Sequence, residues 1–256
     1  MTLPHAILLF FAGMIAGALN SVAGGGSFVS FPCLLFTGVA TIPANATNTV
    51  AVWPGSVASA ASYRKELEAN RSTLLILGLA SLLGGAIGAT LLLKTRPKTF
   101  EGMLPWLLLF ATGMFAFGGK VSQKLRSKFK DGKHSGKTQL IGVAILQFVI
   151  AIYGGFFGGG IGILMLATLA LMGMTEIHTM NALKTVLGSI INGVAVLVFV
   201  INGMVIWPQA IVMVVGSIIG GYYGAEGARK VSPGAIRSFV ITIGLSMSAW
   251  FFYRYR

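Results

Sequence analysis

Hydrophobic residues occur in long runs along most of this chain, separated by short polar or glycine-rich segments. Most of these runs approach the roughly 20 residues that a helix needs to cross about 30 Å of hydrocarbon. The runs cover residues 3–19, 46–62, 72–93, 103–118, 140–157, 186–201, 205–225 and 236–253. The pattern predicts an all-α integral membrane protein that crosses the bilayer several times.

Two further hydrophobic runs, at residues 28–38 and 161–173, are too short to cross a bilayer unaided. Each of them directly follows a glycine tract, at Gly24–Gly26 in the first half of the chain and at Gly158–Gly160 in the second. Each short run therefore predicts one part of a broken or re-entrant helical element.

Matching residues recur in the two halves at an offset of 136 positions. The pairs with this offset are Asn45 and Asn181, Thr49 and Thr185, Gly84 and Gly220, Gly88 and Gly224, and Pro97 and Pro233. The triple glycines recur at an offset of 134, which predicts a small insertion after the second break. We expect a first transmembrane repeat at residues 1–119, a basic cytoplasmic linker at 120–138 and a second transmembrane repeat at 139–256.

Composition and charge restrict the partners. With 55% hydrophobic and 10% charged residues and a mean hydropathy of +0.83, the chain is too apolar for an ordinary soluble domain. The net charge is +13, but many of the cations lie in the linker between Lys120 and Lys137. A basic loop on the cytoplasmic side, close to anionic membrane lipid, explains this cluster better than nucleic-acid binding, for which no module is visible.

The loops also predict how the repeats are oriented. The loop at residues 64–71 contains Arg64, Lys65 and Arg71, whereas its counterpart at 202–204 has no charge. Opposite sides of the membrane would explain this contrast. The repeats would then be inverted, each a glycine-broken re-entrant helical hairpin followed by three transmembrane helices. Both termini would lie outside, and so would the basic residues at 94–98, which argue against this arrangement.

Glycine-broken hydrophobic segments in corresponding positions of two halves indicate a transporter's binding site, because the broken backbone can contact a polar solute inside the bilayer. A helix that begins at Ser27 or Phe28 would direct unpaired N–H groups and its positive dipole end toward the break, which favours a small anion. The alternative is that the glycines only let helices pack closely. The candidate residues at the two breaks are Asn20, Ser21, Gly24, Gly25, Gly26 and Ser27, with Gly158, Gly159 and Gly160.

The segment Asn20–Ser27, the later segment Ala44–Asn48 and the second-half residues 158–160 and 181–184 resemble the sulfite exporter TauE/SafE family of membrane transporters. The resemblance covers nearly the whole chain. It implies a permease of the cytoplasmic membrane that is associated with the export of sulfite or organosulfonates. Because substrates vary within the family, the resemblance implies the permease class more strongly than it implies sulfite.

Further candidates open the long segments that follow the breaks. Asn45, Thr47 and Asn48 either cap the next helix or coordinate the solute at its tip. In the second half the corresponding candidates are Asn181, Lys184 and Thr185. Lys184 is either a counter-charge for the anion, or a cation that reaches the interface or pairs with Glu176.

Other titratable residues have simpler interpretations. A histidine side chain ordinarily changes its charge near neutral pH, so His178 could transfer a proton during transport, but such a residue is more often an interfacial polar group. Glu226 is followed by two cations, Arg229 and Lys230, that would pair with it. No metal-ligand spacing, phosphate loop or nucleophile motif occurs, so we expect no cofactor, and an enzyme is disfavoured. The alternatives that remain are an anion channel and, less favoured, an intramembrane enzyme of sulfur metabolism.

Overall fold

The computed structural model describes residues 1–22, 25–61, 71–128, 137–174, 176–227 and 233–255. This part of the chain is entirely helical, apart from turns and short connections. Its ten helices are α1 (Leu3–Val22), α2 (Ser27–Phe36), α3 (Thr41–Ala61), α4 (Arg71–Lys94), α5 (Pro97–Lys128), α6 (Lys137–Phe156), α7 (Ile161–Leu171), α8 (Ile177–Ile201), α9 (Trp207–Gly227) and α10 (Pro233–Arg254).

Four helices in the described part of the chain are long and apolar enough to cross a bilayer, with candidate spans at Leu3–Asn20, Thr73–Lys94, Pro97–Gly119 and Thr179–Ile201. Large apolar side chains cover much of the outer surface, for example Leu79 at 63% exposure. A lipid environment removes the cost of such a surface, which in water would drive aggregation. The expected all-α membrane architecture is therefore confirmed.

The starts of the helices follow the two offsets found in the sequence. The starts of α1 and α2 recur 134 residues later, in α6 and α7, and the starts of α3, α4 and α5 recur 136 residues later, in α8, α9 and α10. Pro97 and Pro233 are the first residues of α5 and α10, a position where the missing N–H of proline costs nothing. The extra two residues thus lie between the starts of α7 and α8.

The two short helices, α2 and α7, contain 10 and 11 residues and end in the same way. Gly38 and Gly173 follow their C-termini in the left-handed conformation, with φ of 83° and 79°. The next residues, Val39 and Met174, donate their N–H groups to carbonyls five residues earlier. This glycine-dependent cap stops each helix after about 15 Å, roughly half of the hydrocarbon thickness.

Glycines bring α1 against α9 and α4 against α6 at backbone contact distance. A Cβ atom at Gly220 would lie 1.8 Å from the carbonyl oxygen of Met14, and one at Gly88 would lie 2.0 Å from that of Ile152. These glycines have helical backbones, so lack of space and not conformation explains them. The packing interpretation holds for these glycines, which lie outside the breaks.

The last helices of the two halves, α5 and α10, run antiparallel. Near the start of α5, the Trp106 ring contacts the Phe252 ring near the end of α10, with centroids 5.0 Å apart. Further along α5, Thr112 lies against Gly244, which is earlier in α10. α3 and α8 also meet at corresponding positions, where Trp53 Nε1 donates a 3.0 Å hydrogen bond to the carbonyl oxygen of Ser189.

Parts of the predicted loops are described. α5 continues to Lys128 and α6 begins at Lys137, so both ends of the expected basic linker are helical. The uncharged counterpart loop at 202–204 is an exposed turn. The loops around Arg64 and Arg229 lie outside the described residues.

Candidate functional site

At the first break, α2 begins at Ser27, as predicted, but most N–H groups at its start already have partners. The side-chain oxygen of Asn20 accepts the N–H of Gly26 at 2.8 Å. The N–H groups of Phe28 and Val29 donate to the carbonyls of Gly25 and Gly26, both at 3.0 Å. The expected set of unpaired N–H groups is therefore wrong for this break.

Gly25 and Gly26 are glycines for different reasons. Gly25 has a φ of 87°, a left-handed conformation that L side chains rarely adopt. Gly26 has an ordinary φ of −56°, but a Cβ atom there would lie 2.3 Å from the carbonyl oxygen of Ala16. The left-handed conformation at this break thus belongs to Gly25, and Gly26 lets α2 start close to α1.

Three polar side chains form a network just after the first break. Asn48 Nδ2 donates to Ser27 Oγ at 3.1 Å, and Ser30 Oγ donates to Asn48 Oδ1. Because Ser27 Oγ accepts this hydrogen bond, its own O–H is directed elsewhere. Ser30 was not among the sequence candidates, although it lies three residues after Ser27 and thus on the same helix face.

The capping interpretation of Asn45, Thr47 and Asn48 is wrong. α3 begins at Thr41, so these residues lie in its second turn, and all three are buried. Asn45 Nδ2 donates to the carbonyl oxygen of Phe156 at 3.1 Å, and Thr47 Oγ1 accepts the N–H of Ile206 at 3.0 Å. Asn45 and Thr47 therefore connect the first half to the second.

The second break carries the unpaired N–H groups that the first break lacks. Gly158 and Gly160 have φ values of 82° and 75°. Tyr153, which sequence reasoning missed, donates its O–H to the carbonyl oxygen of Gly159 at 2.8 Å. Within the described part of the chain, the consecutive N–H groups of residues 159–162 have no hydrogen-bond partner. They lie at the N-terminus of α7, where the helix dipole favours an anion.

Lys184 lies two turns into α8 and is half-buried. Its aliphatic stem passes Gly162, where an added Cβ would lie 3.3 Å from Lys184 Cδ. Among the described residues Lys184 has no ion pair or hydrogen bond. The proposed pairing with Glu176 is not observed, and Oε2 of Glu176 accepts the N–H of Thr179 at the start of α8.

A small cavity joins the two breaks. Its polar lining consists of Ser27, Asn45 and Asn48 from the first half and Gly159 from the second. The apolar lining residues are Phe28, Phe31, Leu108 and Phe157. The space open to the centre of a water molecule is about 10 Å³, room for one water. The structure therefore brings the two breaks together in a closed form.

Other sequence candidates lie away from this cavity. The three candidates on α8 are half-buried, and none of them lines the cavity: Asn181, Lys184 and Thr185. The side chains of Ser21, His178 and Glu226, and the whole of Gly24, lie outside the described residues.

Comparison with known proteins gives a consistent result. Residues 9–251 match the family model described as sulfite exporter TauE/SafE. The chain is 28% identical to a probable membrane transporter protein of Haemophilus influenzae, covering 94% of this chain and 92% of that one. It is 26% identical to the probable membrane transporter protein YfcA of Escherichia coli K12, covering 96% and 89%.

A probable membrane transporter protein, ORF9, from a Sinorhizobium species is 27% identical over 94% of this chain and 89% of its own. No solved structure gives a significant match. Each match covers nearly the full length of this chain and of the relative. The names of the relatives agree with the all-helical, multi-pass membrane protein described above. This chain is a membrane transporter protein and belongs to the sulfite exporter TauE/SafE family.

Proposed function

We propose that the chain is a secondary transporter that exports a small sulfur-containing oxyanion, such as sulfite or an organosulfonate, across the cytoplasmic membrane. The solute lies between the two glycine breaks, and access alternates between the two sides. The observation that carries this proposal is the cavity lined by polar groups from both breaks, next to the unpaired N–H groups of the second.

The chemistry of the lining favours an anion. Ser27 has an O–H that its bond from Asn48 leaves available, and Asn45 and Asn48 each use one of two amide hydrogens in the bonds described above. The unpaired N–H groups of the second break add further donors, and the Lys184 stem passes beside the last of them. A cluster dominated by donors stabilises an oxyanion through several hydrogen bonds at once.

The packing supports a pair of inverted repeats. α5 and α10, which begin at corresponding positions, run antiparallel, as an axis in the membrane plane requires. The contact of α1 with α9 has its counterpart in the contact of α6 with α4. A cavity with room for one water is closed to an oxyanion, so the residues that line it must move apart on one side at a time to admit the solute.

The orientation can be tested by labelling. We expect a cysteine at Lys128 to react only from the cytoplasm and a cysteine at Gly203 to react only from outside, both in a Cys33→Ser background. We expect this because basic loops favour the cytoplasmic side, and Lys128 lies in the basic linker whereas Gly203 lies in an uncharged exposed turn. Membrane-impermeant maleimide on intact cells and on inverted vesicles provides the measurement. Labelling of both positions from the same side contradicts the inverted arrangement.

Transport itself is tested by counterflow in liposomes that contain the purified protein. Vesicles loaded with unlabelled anion should transiently accumulate the labelled anion from outside, and a panel of sulfite, sulfate, thiosulfate, sulfoacetate and a cation defines the substrate. Accumulation of a sulfur oxyanion but not of the cation supports the transporter. A steady ionic current without counterflow supports the anion channel, and no flux of any anion contradicts the proposed function.

Ser27→Ala should weaken the apparent affinity for the transported anion about 5- to 30-fold, since one hydrogen bond to the solute is worth about 1–2 kcal/mol. The concentration dependence of counterflow measures this effect. Ser127→Ala, at an exposed position near the end of α5, is the matched control and should leave the affinity unchanged. An unchanged affinity in correctly folded Ser27→Ala protein would exclude the Ser27 hydroxyl from the site.

A further inference from the structure

Lys184 suggests how transport is coupled, an inference that rests on the proposed function. The residue lies inside the candidate span Thr179–Ile201 and is half-buried beside Gly162. A charged ammonium at such a depth is costly unless a counter-charge lies beside it. The protein must therefore supply an anionic side chain, or the charge of Lys184 must depend on the solute.

The helices that pack against α8 are α3, α4, α6 and α7. α3 and α7 contain no titratable side chain. The titratable residues on α4 and α6, and at the start of α8, are Arg71, Lys94, Lys137, Tyr153, Glu176 and His178. The first three are cations at helix ends, Tyr153 bonds to Gly159, and Glu176 is exposed before α8.

The whole sequence has six acidic residues, and none of them lies on α3, α4, α6 or α7. No carboxylate on a helix packed against α8 can therefore neutralise Lys184 or carry a proton beside it. The unpaired N–H groups of residues 159–162 are donors as well, and they add positive potential to this side of Lys184. Within the described residues, Lys184 thus has no carboxylate as counter-charge, and an anion that enters the site would supply one.

We propose that Lys184 takes up a proton together with the transported anion, so that the protein is a proton–anion symporter. On binding, the neutral amine of Lys184 gains one proton from solution and becomes the ammonium counter-ion of the solute. On release to the other side, the anion and the proton leave together and the carrier returns with a neutral amine. Each anion then moves with one compensating positive charge. Export follows the outward anion gradient, and an exterior more acidic than the cytoplasm opposes it.

Because binding equilibria are reciprocal, the anion must raise proton affinity as much as the proton raises anion affinity. Anion affinity should therefore fall about tenfold for each pH unit above the proton-binding range of the empty site. Under those alkaline conditions, the protein should also take up about one proton from solution for each anion that it binds.

Lys184→Arg separates coupling from anion binding, because a guanidinium keeps its charge throughout the accessible pH range. This variant should still exchange one anion for another in counterflow, since the same charge crosses the membrane in both directions during exchange. It should lose net, proton-linked anion movement, because the empty carrier would have to return with an uncompensated charge. Lys94→Arg, at the exposed end of α4, is the matched control and should behave like the unsubstituted protein.

The experiment uses liposomes in alkaline buffer, where the probes sulfite and thiosulfate are dianions, so that each anion that crosses with one proton carries one net negative charge. A trapped pH-sensitive dye follows the protons. We expect the unsubstituted protein to move protons with the anion in the same direction, and Lys184→Arg to retain counterflow only. Calorimetric titration of the unsubstituted protein in two buffers of different ionisation enthalpy counts the protons taken up and does not depend on any variant.

Anion movement without proton movement, together with pH-independent affinity, would overturn the symport while leaving the transporter in place. Net anion movement by Lys184→Arg at the rate of the unsubstituted protein would also overturn it. If neither probe moves or binds, the proposed function fails, and the symport fails with it.

Discussion

Replacing Lys184 with methionine should nearly abolish counterflow of the sulfur oxyanion. Methionine keeps a long, flexible apolar stem beside Gly162 but removes the positive charge. A hydrogen bond to a charged partner contributes about 1.5–3 kcal/mol, so the apparent affinity should fall roughly 10- to 150-fold. Initial rates of counterflow over a range of anion concentrations measure this loss.

Lys94→Met is the control for Lys184→Met, because it makes the same chemical change at an exposed helix end. We expect its counterflow to match that of the unsubstituted protein. The elution profile in detergent checks that both variants fold. A folded Lys184→Met protein with normal affinity and rate would assign the residue to membrane packing.

The second large effect concerns the helix pairs α1–α9 and α4–α6. Gly220→Ala and Gly88→Ala should each destabilise the protein by about 1–3 kcal/mol, because the new methyl group must push two backbones apart. The loss should be similar for both, since the two helix pairs correspond. Thermal unfolding of the detergent-solubilised proteins provides the comparison.

Gly102→Ala and Gly142→Ala are matched controls, because a Cβ atom at either of these helical positions meets open space. They should leave stability unchanged or increase it by up to about 1 kcal/mol, the helix preference of alanine over glycine. Equal stability of all four variants would show that the glycines at positions 88 and 220 do not hold the helix pairs together.

Much of the helical framework could be predicted from the sequence, because it depends on local signals. Residue pairs such as Pro97 and Pro233 marked the offset at which helix starts recur, and proline at a first helical position is a local preference. Gly38 and Gly173 likewise marked the ends of the short helices. The start of α3 was missed because Thr41 and Pro43 precede the hydrophobic run although they are helical.

The difference between the two breaks could not be predicted, because it depends on a contact across the first break. Asn20 accepts the N–H of Gly26, whereas the residue 134 positions later is Gly154, which has no side chain to do so. The N–H group of Gly160, the counterpart of Gly26, is therefore left unpaired. A glycine tract by itself also gave no indication that Gly26 serves packing against Ala16 while Gly25 needs a positive φ.

The most direct test of the central claim, a single anion held between both breaks, is to locate the anion in the protein. Selenite, the selenium counterpart of sulfite, can be soaked into crystals, and its anomalous scattering marks its position without bias. We predict one peak within hydrogen-bond distance of Ser27 Oγ and of the N–H groups of residues 159–162, with Lys184 turned toward it. Selenite bound elsewhere, with the cavity between the breaks still closed, would contradict the claim that one anion is held between both breaks.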